Sequence, residues 1–521
     1  MFPNGLTCYF GCGGDRGLVA LAVFKTVAPL NGGGWVRFPF TSAISPRGME
    51  TADMTAIPSD PRRKLASVSV LLDHPRVHEL VQTYSRTVVL DAIRDVLDAC
   101  RDSLKSGQTP APDLAALVEA VEQTLILEDW QRLRPVVNAT GIILHTGLGR
   151  AVLPQRAVAA LSGLGGCCNM QIDMDTGLRG KRNYTTEQLL CKITGAESAM
   201  VVNNNAAATL LILTALCQGR EVVVSRGQLI EIGGSFRLPD CIHQSGAALV
   251  EVGTTNKTHL RDYERAINDN TAALLRVNPS NYRVVGFTQD VSTGELVSLK
   301  QQRPILVIDD LGCGALVDLA QYGLPHEPTA QESIAAGADI VCFSGDKLIS
   351  GPQAGIIIGK KELITRIKKH PLTRMMRVCK LTDLALEQTL RLFLDPDTLE
   401  QEHPTLRMLT IPAAKLKARA AAVKRRVDKA ATQLKLRIVP EQSAMGGGSL
   451  PGVAIPTYAL AASLPGVSAD ELCLKLRRHE PPVIARVKDG EVLLDMRTLL
   501  PGEDTTVANA LVVCGGLGNK P

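Results

Sequence analysis

The residue best suited to covalent chemistry in this sequence is a lysine that follows an apolar run. Lys347 lies in FSGDKLISGPQAGIIIG, residues 343–359, just before a loop that contains Gly351 and Gly355. A lysine amine that is partly removed from water has a lowered pKa and can form a Schiff base with a carbonyl group. Ser344, at the end of the same run, could donate a hydrogen bond to a phosphate oxygen. On spacing alone, a surface lysine in a glycine-rich loop would look similar.

Two further segments suggest a cofactor site. In IDDLGCG, residues 308–314, Asp309 and Asp310 end an apolar run, and a buried carboxylate there could keep a pyridine nitrogen protonated. An aspartate at such a place is more commonly a cap or turn residue. In VVNNNAAATLLIL, residues 201–213, a polar turn precedes an apolar helix whose first N–H groups could bind a phosphate. The alternative is an ordinary capped helix. The chain order of phosphate turn, aspartate and lysine is more specific than any one of them, and is typical of the large domain of aspartate-aminotransferase-like enzymes that use pyridoxal 5'-phosphate (PLP).

Seven short apolar runs, each ending in polar or small residues, alternate with helical stretches between residues 136 and 393. This alternation predicts an α/β fold, with a mostly parallel sheet that carries helices on both faces. Ligands of such sheets bind at the carboxyl ends of the strands, where the polar clusters fall. The predicted strands are SAMVVNN, EVVVS, ALVEV, AALLRVN, PILVIDD, DIVCFSG and AGIIIGK.

The remaining sequence predicts three flanking regions. Residues 1–53 are rich in Gly and Pro, and we expect them to be disordered or to precede a true start at Met49 or Met54. Residues 54–135 have helical periodicity and predict a helical N-terminal domain. We expect residues 136–393 to form a PLP-binding catalytic domain and residues 394–521 to form a smaller α+β domain. Two helices are predicted in the N-terminal domain, one over residues 77–104 and one from Asp113 to about Arg134. The apolar residues expected to face the core are Leu80, Val88, Val89, Ile93 and Leu97 in the first helix and Leu114, Leu117, Val121 and Leu125 in the second.

Composition excludes several classes of protein. The chain has 521 residues, of which 45% are hydrophobic and 21% charged, as expected of a folded protein. Aromatic residues make up 3% and the net charge is +5, so neither stacked aromatic side chains nor overall charge indicates nucleic-acid binding.

The chain has thirteen cysteines without the spacing of a disulfide framework, which favours the reducing cytoplasm. Cys8 and Cys12 lack a second ligand pair, so we expect free thiols and no metal site. The run Leu18–Phe24 is too short to span a membrane.

The longer motifs resemble bacterial selenocysteine synthases, the L-seryl-tRNA(Sec) selenium transferases, from about residue 60 to near the C-terminus. Three motifs depart from the usual family pattern, at four positions that border the expected substrate pocket: SRGQL has Gln228 for Glu, HTGLGR has Gly147 for Asn, and GDKLISG has Ile349 and Ser350 for Leu and Gly. The motifs that carry the resemblance are NATGIILHTGLGRA, LLCKITGAE, VVNNNAAA, SRGQLIEIGGSFRLP, EVGTTNKTHL, FSGDKLISGPQAG, GGGSLP and VIARVKDGEVLLDMR.

The resemblance implies a role for each candidate site residue. Lys347 would bind PLP covalently, and Asp310, rather than Asp309, would face the pyridine nitrogen. Asp346 would orient or tune the site. The resemblance also implies arginines near the aminoacyl group and the selenium donor. Arginine suits this place because it recognises phosphate with two parallel hydrogen bonds. The implied phosphate-binding residues are Asn204, Asn205, Ala206 and Ser344, and the implied substrate-binding residues are Arg150, Arg374 and Arg377.

The implied reaction converts seryl-tRNA(Sec) to selenocysteinyl-tRNA(Sec) by PLP-dependent β-elimination of the serine hydroxyl and addition of selenium from selenophosphate. The N-terminal domain would recognise the tRNA, and the chain would form a homo-oligomer, a ring of dimers. One alternative is a related PLP-dependent lyase that acts on a small amino acid or amino sugar. Such enzymes typically lack a helical N-terminal domain. A second alternative, a catalytically idle RNA-binding or scaffold protein, is disfavoured by the intact lysine, aspartate and phosphate turn.

Overall fold

A computed structural model describes residues 65–105, 111–130, 133–430 and 433–516. The chain divides into two compact units, with the division between Arg132 and Leu133. The expectations for residues 1–53, including Cys8 and Cys12, lie outside the described residues.

The N-terminal unit is helical, as predicted, but its long first helix is broken in two. Ser85 adopts a φ of 75°, a left-handed conformation that a residue with a Cβ atom adopts at a cost and that ends a helix. The described helices of this unit are α1 (Val68–Leu72), α2 (Pro75–Tyr84), α3 (Arg86–Lys105) and α4 (Leu114–Trp130).

Most of the expected core positions of this unit are buried. Leu80, Val89, Ile93 and Leu97 pack against Leu117, Val121 and Leu125 in one cluster. The expectation was wrong for Val88 and Leu114, which are exposed. Val88 precedes Val89 by one residue, or 100° around the helix, so the face that buries Val89, Ile93 and Leu97 leaves it outside.

The second unit contains all the described strands. They are β1 (Val137–Asn138), β2 (Ser198–Val202), β3 (Glu221–Ser225), β4 (Glu231–Ile232), β5 (Phe236–Arg237), β6 (Ala248–Val252), β7 (Thr271–Val277), β8 (Leu306–Gly312), β9 (Ile340–Ser344), β10 (Gly355–Gly359), β11 (Lys435–Ala444), β12 (Ala454–Ser463), β13 (Val483–Ile484), β14 (Arg486–Lys488) and β15 (Glu491–Asp495).

Its α-helices lie between and after these strands. They are α5 (Gln155–Ser162), α6 (Tyr184–Thr194), α7 (Asn205–Cys217), α8 (Leu238–Gln244), α9 (Leu260–Ala266), α10 (Thr293–Ser298), α11 (Ala330–Ala335), α12 (Lys361–Lys369), α13 (Leu372–Met376), α14 (Lys380–Leu390), α15 (Pro396–Glu402), α16 (Pro404–Thr410), α17 (Ala413–Ala430), α18 (Ala469–Arg477) and α19 (Glu503–Gly515).

The seven predicted strands form one seven-stranded sheet in the order β2-β10-β9-β8-β7-β3-β6. Pairing is parallel except at β10, which is antiparallel to both β2 and β9. Alternate strand residues pack into separate cores on the two faces, one with α7, α8 and α12 and the other with α6, α11 and α14. The predicted α/β fold with helices on both faces is therefore confirmed.

The C-terminal part forms a second sheet, which is antiparallel and has the order β11-β12-β15-β14. Helices α17, α18 and α19 pack on it. The short strand β1 pairs with β13, and Val137 and Ala139 are buried in the same core. Residues at the start of the predicted catalytic segment therefore pack with the C-terminal sheet.

Within the residues that the structure describes, no helix combines the length and the apolar character needed to cross a bilayer. The same residues contain no cluster of three or more potential metal ligands.

Candidate functional site

A cavity of about 230 Å³ lies at the carboxyl ends of β2, β7, β8 and β9. Connections at this edge of a parallel sheet supply its side chains, as expected for α/β folds. The structure brings eight of the predicted site residues to this cavity: Arg150, Asn204, Asn205, Ala206, Asp310, Ser344, Asp346 and Lys347.

The two consecutive aspartates of β8 point to opposite faces of the sheet, because successive side chains of a strand alternate. Asp310 faces the cavity. Asp309 is fully buried on the other face, where it accepts hydrogen bonds from Arg276 at 2.9 Å, Thr293 at 2.7 Å and Ser333 at 2.8 Å. The structure thus gives Asp309 a structural role and leaves Asp310 as the cavity carboxylate.

Asp310 is held by three hydrogen-bond donors. Asn205 Nδ2 lies 2.8 Å from Oδ1, Thr209 Oγ1 lies 3.0 Å from Oδ2, and the Gly312 N–H lies 3.0 Å from Oδ1. Burial raises the pKa of Asp310, while these donors and the charge of Lys347 oppose the rise. The result is a fixed carboxylate whose proton affinity exceeds that of an ordinary aspartate.

Lys347 follows β9 in a tight turn and is almost completely buried. The turn is closed by the Ser350 N–H, which donates to Lys347 O at 3.1 Å, and by the Gly351 N–H, which donates to Gly345 O at 2.9 Å. A lysine amine held away from bulk water beside a carboxylate can react with a carbonyl group. The surface-loop alternative for Lys347 is therefore wrong.

The start of α7 forms the opposite wall. Asn204 is its N-cap and accepts the Ala207 N–H at 2.9 Å. The N–H groups of Asn205 and Ala206 precede it in the first turn, where a helix offers them no internal acceptor. Both residues line the cavity, and two such N–H groups at a helix N-terminus bind an anion well. The Asn205 side chain bonds Asp310 and leaves its Oδ1 atom buried without a partner among the described residues.

Asp346 forms an ion pair with Arg150, with Nη1 and Oδ2 2.8 Å apart. The Ala151 N–H also donates to the Asp346 carbonyl at 3.4 Å. Arg150 is partly exposed and lines the cavity, so this pair joins the loop before α5 to the lysine turn.

The two other predicted arginines do not line this cavity. Arg374 lies in α13 and Arg377 just after it, and both are exposed. Their segment touches the site's framework, because the Asn203 N–H donates to Met376 O at 2.8 Å. Their role in binding substrate stays a prediction.

Three positions that differ from the family pattern are built into the site's surroundings. Gln228 is buried; its Nε2 donates to Asp290 at 2.8 Å and its Oε1 accepts the Val277 N–H at 2.9 Å. Gly147 lies beside the His145 ring. Ser350 is buried directly after the lysine turn. Gln228 also borders a second cavity of about 370 Å³, which shares Asn278 with the first.

Sequence reasoning missed four polar residues that line the first cavity. Thr209 had a local signal, because it follows Asn205 by four residues on one helix face. The others lie in connections whose course only the tertiary structure shows. The missed residues are Thr209, Asn278, Ser280 and Gln353.

This sheet order is that of the aminotransferase-like class of α/β proteins, and the cavity adds an aspartate near the end of β8, a lysine after β9 and the N-terminus of α7. A solved structure of D-glucosaminate-6-phosphate ammonia-lyase is similar in fold, with a TM-score of 0.52 and 23% identity over 75% of this chain and 98% of that one.

Comparison with protein families narrows the class to one family. The L-seryl-tRNA selenium transferase family matches residues 136–500, and the selenocysteine synthase N-terminal family matches residues 62–101. The L-seryl-tRNA(Sec) selenium transferase of Moorella thermoacetica is 47% identical over 452 residues, 86% of this chain and 96% of that protein. Its counterpart from Nitratidesulfovibrio vulgaris is 46% identical over 467 residues, 87% of this chain and 99% of that protein. The chain therefore belongs to the L-seryl-tRNA selenium transferase family.

Proposed function

We propose that this chain converts seryl-tRNA(Sec) to selenocysteinyl-tRNA(Sec), using PLP as cofactor and selenophosphate as selenium donor. The observation that carries the proposal is the cavity in which Lys347, Asp310 and the first turn of α7 meet. The chain that forms it is 47% identical to the L-seryl-tRNA(Sec) selenium transferase of Moorella thermoacetica.

The residues of the cavity fit PLP in charge and in hydrogen bonding. Lys347 would bind its aldehyde carbon, and Asp310 would accept a hydrogen bond from its pyridine nitrogen. The N–H groups of Asn205 and Ala206, with the Ser344 hydroxyl, would hold its phosphate. All five line the cavity, and the unpartnered Asn205 Oδ1 shows that this wall has a polar atom still to be satisfied.

When bound, PLP supplies an electron sink that stabilises negative charge at Cα of the seryl group. The Asp310 carboxylate, which is held by Asn205, Thr209 and the Gly312 N–H, would keep the pyridine nitrogen protonated by accepting its hydrogen bond. Lys347 would remove the Cα proton as a general base and pass it to the departing serine hydroxyl, which would leave as water. The selenium of selenophosphate would then add at Cβ and give its proton to Lys347, and water would cleave the Se–P bond and release phosphate. Lys347 then returns a proton to Cα.

The arginines provide the positive charge for anionic substrates. Arg150 is held by Asp346 at the edge of the cavity, where it would contact the aminoacyl group or selenophosphate. Arg374 and Arg377 are exposed, so their guanidinium groups are free to meet a phosphate that approaches from solvent.

The N-terminal helical unit would recognise the tRNA, mainly by shape, and the chain would act in the cytoplasm as a homo-oligomer. The N-terminal family match over residues 62–101 supports a module shared by these transferases.

The visible spectrum of the purified protein tests the proposal. We expect a PLP band that responds to seryl-tRNA(Sec) and not to free serine. A response to free serine or another small amine would favour the lyase alternative, and the absence of a band after reconstitution with PLP would overturn the enzyme assignment.

Replacing the lysine gives the sharpest single-residue test. Lys347→Ala should lower turnover by at least about 10³-fold, because it removes both the covalent link and the base, while seryl-tRNA binding is retained. A matched control is Lys360→Ala, which removes a half-exposed lysine paired with Asp339 and should leave turnover close to normal. Normal turnover of Lys347→Ala, measured with the purified protein, would refute the assigned role.

A further inference from the structure

Ser350, three residues after Lys347, has a conformation that its side chain does not favour. Its φ is +61°, in the left-handed region where a Cβ atom is crowded and where glycine carries no penalty. Ser350 is also fully buried. A serine kept at such a position needs interactions that compensate for the strain.

The Ser350 hydroxyl makes two hydrogen bonds to Thr405. The two hydroxyl oxygens lie 2.6 Å apart, and the Thr405 N–H donates to Ser350 Oγ at 3.3 Å. Thr405 lies in the first turn of α16, whose N–H groups lack partners within the helix. Ser350 therefore satisfies an N–H group of a helix that begins more than fifty residues further along the chain.

These bonds act on the turn that holds the lysine. The Ser350 N–H donates to Lys347 O at 3.1 Å, so movement of Ser350 moves the Lys347 backbone. At its other end, α16 is fixed by the buried Arg497, which donates to Met408 O at 2.6 Å and to Leu409 O. The lysine turn is thus tied to a helix that is itself anchored to the C-terminal sheet.

We propose that Ser350 is a positioning residue for Lys347 and acts through its hydroxyl pair with Thr405. The pair keeps the Lys347 amine at a fixed place relative to Asp310, so that its loss loosens the turn and weakens the hold on the cofactor. This inference rests on the proposed function, in which Lys347 binds PLP.

The test uses the full-length PLP-loaded protein and two readouts besides activity. One is the pH midpoint at which the visible PLP band changes, and the other is the rate at which PLP passes to an excess of a PLP-binding apoprotein. In Ser350→Ala and Thr405→Val we expect the midpoint to shift and PLP to leave about five- to tenfold faster, as loss of one buried hydrogen bond would cause. The double variant should be no worse than either single variant, because both remove the same interaction.

Three matched variants separate positioning from general stability. Thr405→Ser keeps a hydroxyl and should behave as the wild type. Ser350→Gly relieves the strain but lacks the hydroxyl, so it should release PLP as fast as Ser350→Ala while unfolding at a higher temperature. Thr457→Val removes a buried hydroxyl that donates to Asp495 at 2.8 Å in the C-terminal sheet, and should lower the melting temperature without changing either PLP readout.

The outcomes are distinct. If Ser350→Ala and Thr405→Val lower only the melting temperature, as Thr457→Val does, the positioning role is wrong. If the wild-type protein itself shows no PLP band, the proposed function fails. A normal wild-type band with unchanged release in the variants overturns the positioning role alone.

Discussion

At the scale of single residues, the neighbouring aspartates of β8 differ in role: Asp310 belongs to the candidate site, and Asp309 stabilises the fold. Their chemical types are identical and they are adjacent in sequence, yet Asp310 lines the cavity and Asp309 pairs with Arg276 on the other face of the sheet. Because the environments differ, the same substitution should have different consequences at the two positions.

We expect Asp310→Asn to lower kcat by about 100-fold, since the amide cannot stabilise a protonated pyridine nitrogen. Asp309→Asn should instead lower the free energy of unfolding by about 3 kcal/mol, because it leaves the buried Arg276 without its counter-charge. Steady-state kinetics and urea unfolding of both variants check this. Equal kinetic effects of the two substitutions would contradict the assignment of Asp310.

His403 gives a pH-dependent prediction at the same scale. Its Nδ1 atom accepts the Leu406 N–H at the start of α16, and burial lowers its pKa to about 4. Between that value and the ordinary value of 6.5, the unfolded chain binds a proton that the folded chain does not. Folding stability should therefore fall as the pH drops from about 6.5 to about 4, by up to about 3 kcal/mol from this residue.

His403→Asn keeps an acceptor for the helix start and removes the titrating ring. Unfolding measured in denaturant at pH 7.5 and at pH 4.5 should show a smaller pH dependence for this variant than for the wild type. An unchanged pH dependence would show that folding does not lower the pKa of His403.

At the scale of elements, the site depends on how closely β10 approaches the turn between β2 and α7. A Cβ atom at Gly355, the first residue of β10, would lie 2.1 Å from Asn204 O. The proposed phosphate-binding turn can therefore reach its position only because this strand begins with glycine.

Gly355→Ala should push the Asn204–Ala206 turn away from the sheet. We expect PLP affinity to fall by about tenfold or more, and stability by about 2 kcal/mol, because backbone atoms must shift to make room. Equilibrium PLP binding and thermal unfolding measure both effects. The control is Gly294→Ala in α10, where a Cβ atom meets open space and neither quantity should fall. Unchanged PLP binding in Gly355→Ala would contradict the proposed phosphate site.

At the scale of the whole molecule, the chain separates into two units that each have their own core. The core of the N-terminal unit is formed by Leu71, Val77 and further residues up to Leu125, and the cavity lies wholly within the second unit. We therefore expect that truncation can separate the proposed cofactor chemistry from the proposed tRNA recognition.

A chain that begins at Leu133 should retain the PLP band, because every cavity residue is present. Its affinity for seryl-tRNA(Sec) should fall by at least about tenfold, since the proposed tRNA-recognition unit is missing. Spectroscopy and a tRNA-binding assay on the two chain lengths test this. Equal tRNA affinity would locate recognition in the second unit.

The fold could be predicted because each strand is recognisable from a short stretch of neighbouring residues. Each of the seven strands is a short run of β-branched or aliphatic residues that ends in a polar or small one, such as EVVVS at β3 and DIVCFSG at β9. Asn204, Asp310 and Lys347 each lie at or just after the end of one of these runs, so they were expected at one edge of the sheet, because parallel strands bring their carboxyl ends together.

Other features depend on contacts between distant parts of the chain, and no local pattern contains them. Periodicity could not show that Ser85 breaks the first long helix, nor that the chain brings Thr405 to Ser350. The family resemblance favoured Asp310 over Asp309, but only the pleat of β8 and the helices on each side of it put Asp310 in the cavity and Asp309 beside Arg276. The sequence by itself predicted the seven strands and most of the helical segments, and it singled out Lys347 as the candidate for covalent chemistry. The tertiary structure decided which side chains face one another, because that depends on the packing of both faces of the sheet at once.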